Sequence, residues 1–295
     1  MSREGCPFAV VSAVNNETIL ASNLQRSPFI ANGSVDLVGQ RGYPSAALAY
    51  SQEGLSAIES DIIVFAHQDV YLPLGWDRRL LLAIAELEMN GRNWAVIGVA
   101  GMAVSGGISG RAWCAAHGCE LGVRLRGPVP VVSLDEIVIV LKRSTGLRFD
   151  SRMPGFHLYG ADIVQSARAA GYEAFVFDGP VIHNCRPVLW ADKAYARAYR
   201  FMQRKWWNNL PIPTPCMTIT KTGWPLFRDR HLRYLAKTVF RRDDPTHSRI
   251  HDPEDISRRL GYEFYGDVLF SYSQGIDMTG TELVASKGSA LHVGS

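Results

Sequence analysis

No stretch of this 295-residue chain approaches the roughly 18 consecutive apolar residues that a membrane-spanning helix requires. The first six residues lack the apolar run of a secretory signal, so the expected location is the cytosol. Charge of either sign is not in excess: 31 Lys and Arg face 28 Asp and Glu, a formal net charge of +3. No whole-chain field therefore attracts nucleic acid or an acidic polymer, and no nucleic-acid partner is expected. Cysteine is sparse, with five residues (Cys6, Cys114, Cys119, Cys185 and Cys216) and no CxxC spacing. That pattern argues against a zinc ribbon or a disulfide framework, and the thiols read as reduced packing residues. There is no internal repeat. A GxGxxG turn is also missing after the first apolar run, where Ser12-Ala13-Val14-Asn15-Asn16 stands instead, which sets aside a dinucleotide site on a Rossmann sheet.

What is present is apolar material for a core, 47% of all residues, arranged as short strands alternating with helical segments. Phe8 to Val14 reads as a strand, and Glu17 to Leu24 as a helix behind an Asn cap. Val35 to Val38 reads as a second strand. Ser45 caps a helix predicted to run to about Ile58. Asp61 to Ala66 is a near-continuous apolar run, the pattern of a strand covered on both faces. A helix from Asp77 to Met89 and a strand from Trp94 to Ala100 follow. Gly101 to Gly110 reads as a mobile glycine-rich loop able to close over a ligand. Strands are predicted at Val129–Val132, Ile137–Lys142, Phe175–Phe177 and Val181–His183, with a helix over Asp162–Ala170. Beyond Cys185 the composition turns basic and aromatic, with a helix from Ala194 to Trp207 and a proline-broken linker from Leu210 to Pro215. The end of the chain, containing Gly and Ser, reads as a loose tail.

Polar residues at the carboxyl ends of strands in an open α/β sheet are the natural candidates for chemistry. His67-Gln68-Asp69 closes the most apolar strand. A carboxylate fixed there can hold a hard divalent cation, or simply cap the next segment. Asp135-Glu136 lies between two predicted strands. Asp162 falls in the first turn of its helix, where it can either serve as a base in a cleft or complement the helix dipole. His183 ends a strand and can complete a metal site as a neutral imidazole, or sit as a structural histidine.

In their order along the chain these clusters resemble the family-two-like inverting glycosyltransferases of the GT-A fold, a likeness covering roughly residues 8–184. The resemblance implies an α/β fold whose central sheet is mixed and mainly parallel, flanked by helices. A catalytic domain over 1–185 is implied, with a nucleotide-sugar half at about 1–100 and an acceptor half at about 101–185. Residues 186–295 would form a C-terminal helical or irregular extension. Asp69 matches the second acid of an Asp-x-Asp metal motif whose first position is His67. Phe-x-His-x-Asp-Val followed by Gly75-Trp76 resembles bacterial members, and Val181-Ile182-His183 resembles the late metal-binding His. By the same resemblance Asp162 is the catalytic base, and Ala161 stands where the family usually has a first acid. Asp135 or Glu136 occupies the acidic position that contacts the transferred sugar or the acceptor.

Nucleoside contacts are expected near Ala13, Val14, Asn15, Gln40 and Arg41, with His67 and Gln68 beside them. Trp76, Trp113, His157 and Tyr159 are the expected sugar-facing rings. The implied cofactors are Mn²⁺ or Mg²⁺, held by Asp69 and His183, and a nucleotide-sugar donor, UDP-linked by default. The implied acceptor is a glycan or a lipid-linked glycan of bacterial polysaccharide assembly. The Arg/Lys/Trp-rich stretch 197–207 would touch the inner membrane face peripherally. The departures at His67 and Ala161 leave a rival class in view, a non-catalytic nucleotide- or carbohydrate-binding module on the same fold.

Overall fold

A computed structural model describes residues 7–51, 55, 58–185, 192–238 and 251–265. Its centre is a twelve-stranded sheet. At one edge lies β2 (Leu37–Arg41), followed by β1 (Phe8–Val14) and β3 (Ile62–Ala66), all parallel. Next comes β10 (Val138–Lys142), antiparallel to both β3 and β5 (Trp94–Gly98). Beyond β5 run β11 (Glu173–Val176), β9 (Val129–Leu134) and β6 (Ala100–Ala103), then β7 (Ile108–Cys114), β12 (Val181–His183) and β4 (Val70–Tyr71). A final strand, β8 (Cys119–Val123), pairs with β7 off this path.

The strands form where period-2 apolar patterning lets both faces be buried. Alternate residues of β1, β3 and β10 feed different cores. Val11, Phe65 and Ile139 go to one; Val10, Val64 and Val140 go to the other. On the first face lie α3 (Ala46–Ala49), α5 (Tyr159–Ala169) and α6 (Lys193–Lys205). On the second lie α1 (Glu17–Ser22), α2 (Pro28–Ala31) and α4 (Trp76–Met89). The result is a three-layer α/β/α arrangement, in which each fully buried Val, Leu, Ile or Phe contributes about 1.5–3 kcal/mol. Two more helices follow, α7 (Trp224–Thr238) and α8 (Pro253–Arg259). Tyr195, Tyr199, Leu210, Ile219 and Leu226 share the first core with the sheet, so residues 192–226 are built onto it.

The α/β class and the mixed, helix-flanked sheet are as expected, but three details differ. Parallel pairing is confined to β1–β2, β1–β3, β5–β11 and β7–β12, and every other pairing is antiparallel. Two of the antiparallel pairings, β6–β7 and β7–β8, are hairpins, and the others join strands distant in sequence. Second, the glycine-rich segment 101–110 is not a mobile loop. Its ends are β6 and β7, antiparallel to each other around a turn in which Gly106 and Gly107 take positive φ. Gly110, at φ 93°, allows close approach of β7, because a Cβ there would run into the Val99 carbonyl. Third, the helix predicted from Ser45 to Ile58 ends after Ala49; its cap is real, Ser45 accepting from the Leu48 N–H at 3.3 Å. Residues 52–54 and 56–57 of that prediction, and the expected C-terminal tail, lie outside the described residues.

β8 was not expected. Its Cys-Glu-Leu-Gly-Val alternates as a strand does, but it is short and all five residues are exposed, Gly122 at φ 92° allowing it to lie close on Gly110.

Gly110→Ala adds a collision to a backbone conformation that alanine rarely adopts. The expected cost is about 2 kcal/mol or more, read as a lower midpoint in urea with an unchanged slope.

Candidate metal and donor site

The site is assembled at the carboxyl end of β3. Because β10 runs antiparallel to β3, the residues entering β10 lie beside those leaving β3, and the His67 N–H donates to the Ile137 carbonyl at 3.1 Å. This places Asp135-Glu136 next to His67-Gln68-Asp69. The chain then turns, Val70 N–H to His67 O at 3.2 Å, into β4, which pairs with β12 so that His183 lies opposite Val70. The Asn184 N–H donates to the Asp69 carbonyl at 2.9 Å and fixes the turn from the other side.

Asp69, His67 and His183 thereby converge, with one ligand atom of each within 4.8 Å of the others. His183 Nε2 is 3.4 Å from Asp69 Oδ1. Burial opposes the Asp69 charge, but His183 and then His67 hold its carboxyl well below the usual range. Burial likewise opposes protonation of His183, and Asp69 outweighs it and raises its pKa. His67 is lowered by burial. An imidazole–carboxylate–imidazole set with half-exposed groups suits a borderline or hard divalent cation.

Tyr159 orients His67. Its hydroxyl lies 2.9 Å from His67 Nε2 and 3.1 Å from the Glu136 carbonyl. The phenol has one hydrogen, which the carbonyl can only accept, so the phenol oxygen accepts from Nε2–H and leaves Nδ1 as the ligand nitrogen. Tyr159 opens α5, whose preceding residue, Leu158, is the sole non-glycine residue at positive φ (63°) among the described residues. Gly160 allows that helix start to approach closely, since a Cβ there would sit 2.7 Å from the Leu134 carbonyl oxygen. The Leu158 and Gly160 N–H groups point at the Glu136 carboxylate. Burial first, then the adjacent Asp135, nevertheless raises the Glu136 pKa well above its ordinary value. Asp135 accepts from the Ile137 N–H at 3.1 Å, and its charge is felt at His67, His157 and His183.

Next to this cluster, Gln68 joins the ends of β1 and β3. Its Oε1 accepts the N–H groups of Asn15 and Asn16, both at 3.1 Å, and its amide donates to Asn15 Oδ1. Ala13, Val14, Asn15, Gln40 and Arg41 all line one cavity of about 410 Å³, with Glu17, Tyr43 and Phe156. Arg41 is paired with Glu17 at 2.6 Å. A larger cavity of about 640 Å³, around Arg79, Arg124, Asp178 and Phe264, contains none of these residues.

Three expected residues are placed elsewhere. Asp162 is buried with both carboxylate oxygens engaged, Oδ2 by Lys205 Nζ at 2.8 Å and Oδ1 by the Trp206 indole at 2.7 Å. Lys205 also reaches Asp150 at 3.0 Å. Burial raises the Asp162 pKa despite these partners. Trp76, 1% exposed, donates to the Gly179 carbonyl at 3.2 Å and packs between Phe29 and Phe177. Trp113 is 7% exposed, with the His251 ring 5.1 Å from its own. Both rings are closed off from a sugar by their neighbours. Tyr159 is buried behind His67, and His157, 5.6 Å from the Tyr195 ring, remains half-exposed. The basic stretch 197–207 turns Tyr199 and Met202 inward and leaves Trp207 half-exposed.

Cys114 and Cys185 are free and buried, as reduced packing thiols should be, but the sequence reading did not foresee that their sulfurs lie 3.2 Å apart beside His183. The spacing His183-Asn184-Cys185 was the available signal.

No family model matches the chain. The protein named "ATP synthase subunits region ORF 6" from Fuscovulum blasticum is 31% identical over 212 residues, covering 68% of this chain and 83% of that protein. The chain belongs to the family of that protein, whose name states no reaction or ligand. Similar solved structures include GalNAc-T7 with UDP, GalNAc and Mn²⁺ (TM-score 0.45, 11% identity, 85% of this chain and 58% of that one). Another is the mannosyltransferase PcManGT from Pyrobaculum calidifontis with GDP-Man and Mn²⁺ (TM-score 0.40, 8% identity, 91% and 78%). A third is S. aureus TarS (TM-score 0.40, 12% identity, 79% and 74%). Likenesses this distant carry no argument about the chemistry of this chain.

If Asp162 is a structural partner, its loss and that of Lys205 must be coupled. Lys205→Met, which strands a buried carboxylate, is expected to cost about 3–5 kcal/mol. Adding Asp162→Asn should recover part of that loss, measured as a double-mutant cycle in urea. Simple additivity would free Asp162 for another role.

Proposed function

We propose that this chain is a metal-dependent inverting glycosyltransferase acting on a nucleotide-diphosphate sugar. The observation that supports it best is the convergence of Asp69, His67 and His183 at one strand end, adjoining the turn whose Gln68 reaches Asn15 in the wall of the 410 Å³ cavity. The proposal assigns that cavity to the nucleoside, with Ala13, Val14 and Asn15 on one wall and Gln40 and Arg41 on the other. Asp69, His67 and His183 would hold Mn²⁺ or Mg²⁺, which supplies charge neutralisation for the departing diphosphate.

The base of this proposal is Asp135, in place of Asp162. Asp162 is 2% exposed with each oxygen held by Lys205 or Trp206, whereas Asp135 is half-exposed and its charge is felt at His67 and His183. The acceptor hydroxyl oxygen bonds to the anomeric carbon as the bond from that carbon to the diphosphate oxygen breaks. The hydroxyl proton passes to the Asp135 carboxylate. Attack from the face opposite the leaving group inverts the configuration. Glu136, whose pKa burial and then Asp135 raise, can donate a hydrogen bond to a sugar hydroxyl whenever it holds its proton, and half-exposed His157 feels the Asp135 charge. UDP remains the first donor to try.

No helix among the described residues is long and apolar enough to cross a membrane. A lipid-linked acceptor at a membrane surface is consistent with the exposed rings of Trp207, beneath Lys221, and of Trp224 and Phe227, the latter sharing a cavity with Arg200 and Arg230.

Thermal stability is to be measured with a panel of nucleoside diphosphates, each with Mn²⁺ and with EDTA. One nucleotide should raise Tm only with metal, and Asp69→Ala should abolish the rise. No shift with any nucleotide overturns the donor site. With the matching nucleotide sugar, Asp135→Asn should bind the nucleotide normally and release diphosphate at least about 100-fold more slowly. Binding with no turnover in the wild-type chain would instead leave a binding module.

A further inference from the structure

Cys114 ends β7 and His183 ends β12, and the two are register partners in parallel strands. Partners in register project from the same face of a sheet, and residues two apart on an extended chain do the same. Cys114, His183 and Cys185 are therefore directed to one side by backbone geometry alone. The structure bears this out, with the sulfurs 3.2 Å apart and one ligand atom from each of the three residues within 4.8 Å of the others. Both cysteines are free and buried, each 8% exposed.

A tight turn packs against the sulfur pair. After Cys114 the chain turns tightly, the His117 and Gly118 N–H groups donating to its carbonyl at 3.1 and 2.8 Å. The turn aims the Ala116 and His117 N–H groups at Cys114 Sγ, and the Ala116 N–H also serves Cys185. The Cys185 contact lowers the pKa of the Cys114 thiol, whereas the Cys114 contact and then burial raise that of Cys185, so an incoming ion has to displace the Cys185 proton. The Ala115 N–H bonds the His183 carbonyl at 2.9 Å, tying this turn to the strand that carries the imidazole. Two sulfurs and an imidazole form a soft ligand set that selects Zn²⁺, or Co²⁺ as its spectroscopic substitute, over Mn²⁺ and Mg²⁺.

We propose that Cys114, Cys185 and His183 form a second, thiophilic divalent-cation site, for which Zn²⁺ is the fitting ion, and that it shares His183 with the oxygen-and-nitrogen set of Asp69 and His67. A neutral imidazole has one free ring lone pair, so His183 can ligate one ion at a time without losing its remaining proton. A thiophilic ion that draws His183 toward the sulfurs leaves Asp69 and His67 with an incomplete site. Zn²⁺ therefore acts as an antagonist of the ion at Asp69. This antagonism rests on the glycosyltransferase reading; the existence of the thiol site does not.

The test is Co²⁺ titration of the fully reduced, full-length protein, read by absorbance. Thiolate ligation gives an intense sulfur-to-cobalt charge-transfer band that nitrogen and oxygen ligands do not. The expected result is such a band saturating at one Co²⁺ per chain, bleached by Zn²⁺, lost in Cys114→Ser and in Cys185→Ser, and retained in Asp69→Asn. No band in the wild type, or a band surviving both serine variants, overturns the site. Alkylation mapped by mass spectrometry on the wild-type protein guards against misfolded variants. Zn²⁺ should protect Cys114 and Cys185 and leave Cys119 reactive; equal labelling with and without Zn²⁺ overturns the proposal. In the diphosphate-release assay with Mn²⁺ present, Zn²⁺ should slow the wild type by about tenfold and Cys114→Ser much less. A cobalt band without nucleotide binding would sink the glycosyltransferase reading alone, and nucleotide binding without a band would sink the thiol site alone.

Discussion

The antiparallel insertion of β10 between β3 and β5 is the constraint on which the site depends. β3 and β5 flank β10 and oppose its direction. Ligands of an open sheet gather where forward strands end, and a reversed strand that begins there brings its entry residues to the same edge. That is why Asp135 and Glu136, distant in sequence, stand beside His67 and Asp69. The His67 N–H to Ile137 carbonyl bond is the local expression of this arrangement. β12 adds His183 from a third direction by pairing with β4. Three separate segments meet here because the sheet topology brings their ends to one edge.

Much of this was legible in the sequence. The run Ile62–Ala66 is apolar without interruption, so its burial on both faces and the exposure of His67-Gln68-Asp69 at its tip followed from pattern. The five cavity residues were legible for the same reason, since Ala13–Asn15 and Gln40–Arg41 end neighbouring parallel strands. What was not legible depends on contacts from far along the chain. Nothing near Asp162 foretells Lys205 and Trp206, which reach it from another helix. The burial of Trp76 depends on Phe29 and Phe177. The glycines of 101–110 look like a loop in isolation, and only the Val99 carbonyl against Gly110 shows them serving close strand approach.

The two acidic centres of this face are stabilised in opposite ways. Asp162 and Asp150 share one lysine in a buried network. Such an arrangement is intolerant of losing a partner, and marks a place where α5 and α6 must stay in register. Asp135 and Glu136 instead adjoin each other beside a helix start, and burial first, then the Asp135 charge, raises the Glu136 pKa. The first is suited to holding structure and the second to proton chemistry.

Leu158 gives this helix start a further meaning. A leucine held at φ 63° stores roughly 1–3 kcal/mol of backbone strain, and its buried side chain keeps it in place. The conformation aims the N–H groups of residues 158 and 160 at Glu136. Resilience to heat and sharpness of the site therefore pull against each other at a single residue. Selection for a hardier protein would relax this turn first, and the carboxylates would be the first groups to lose their alignment.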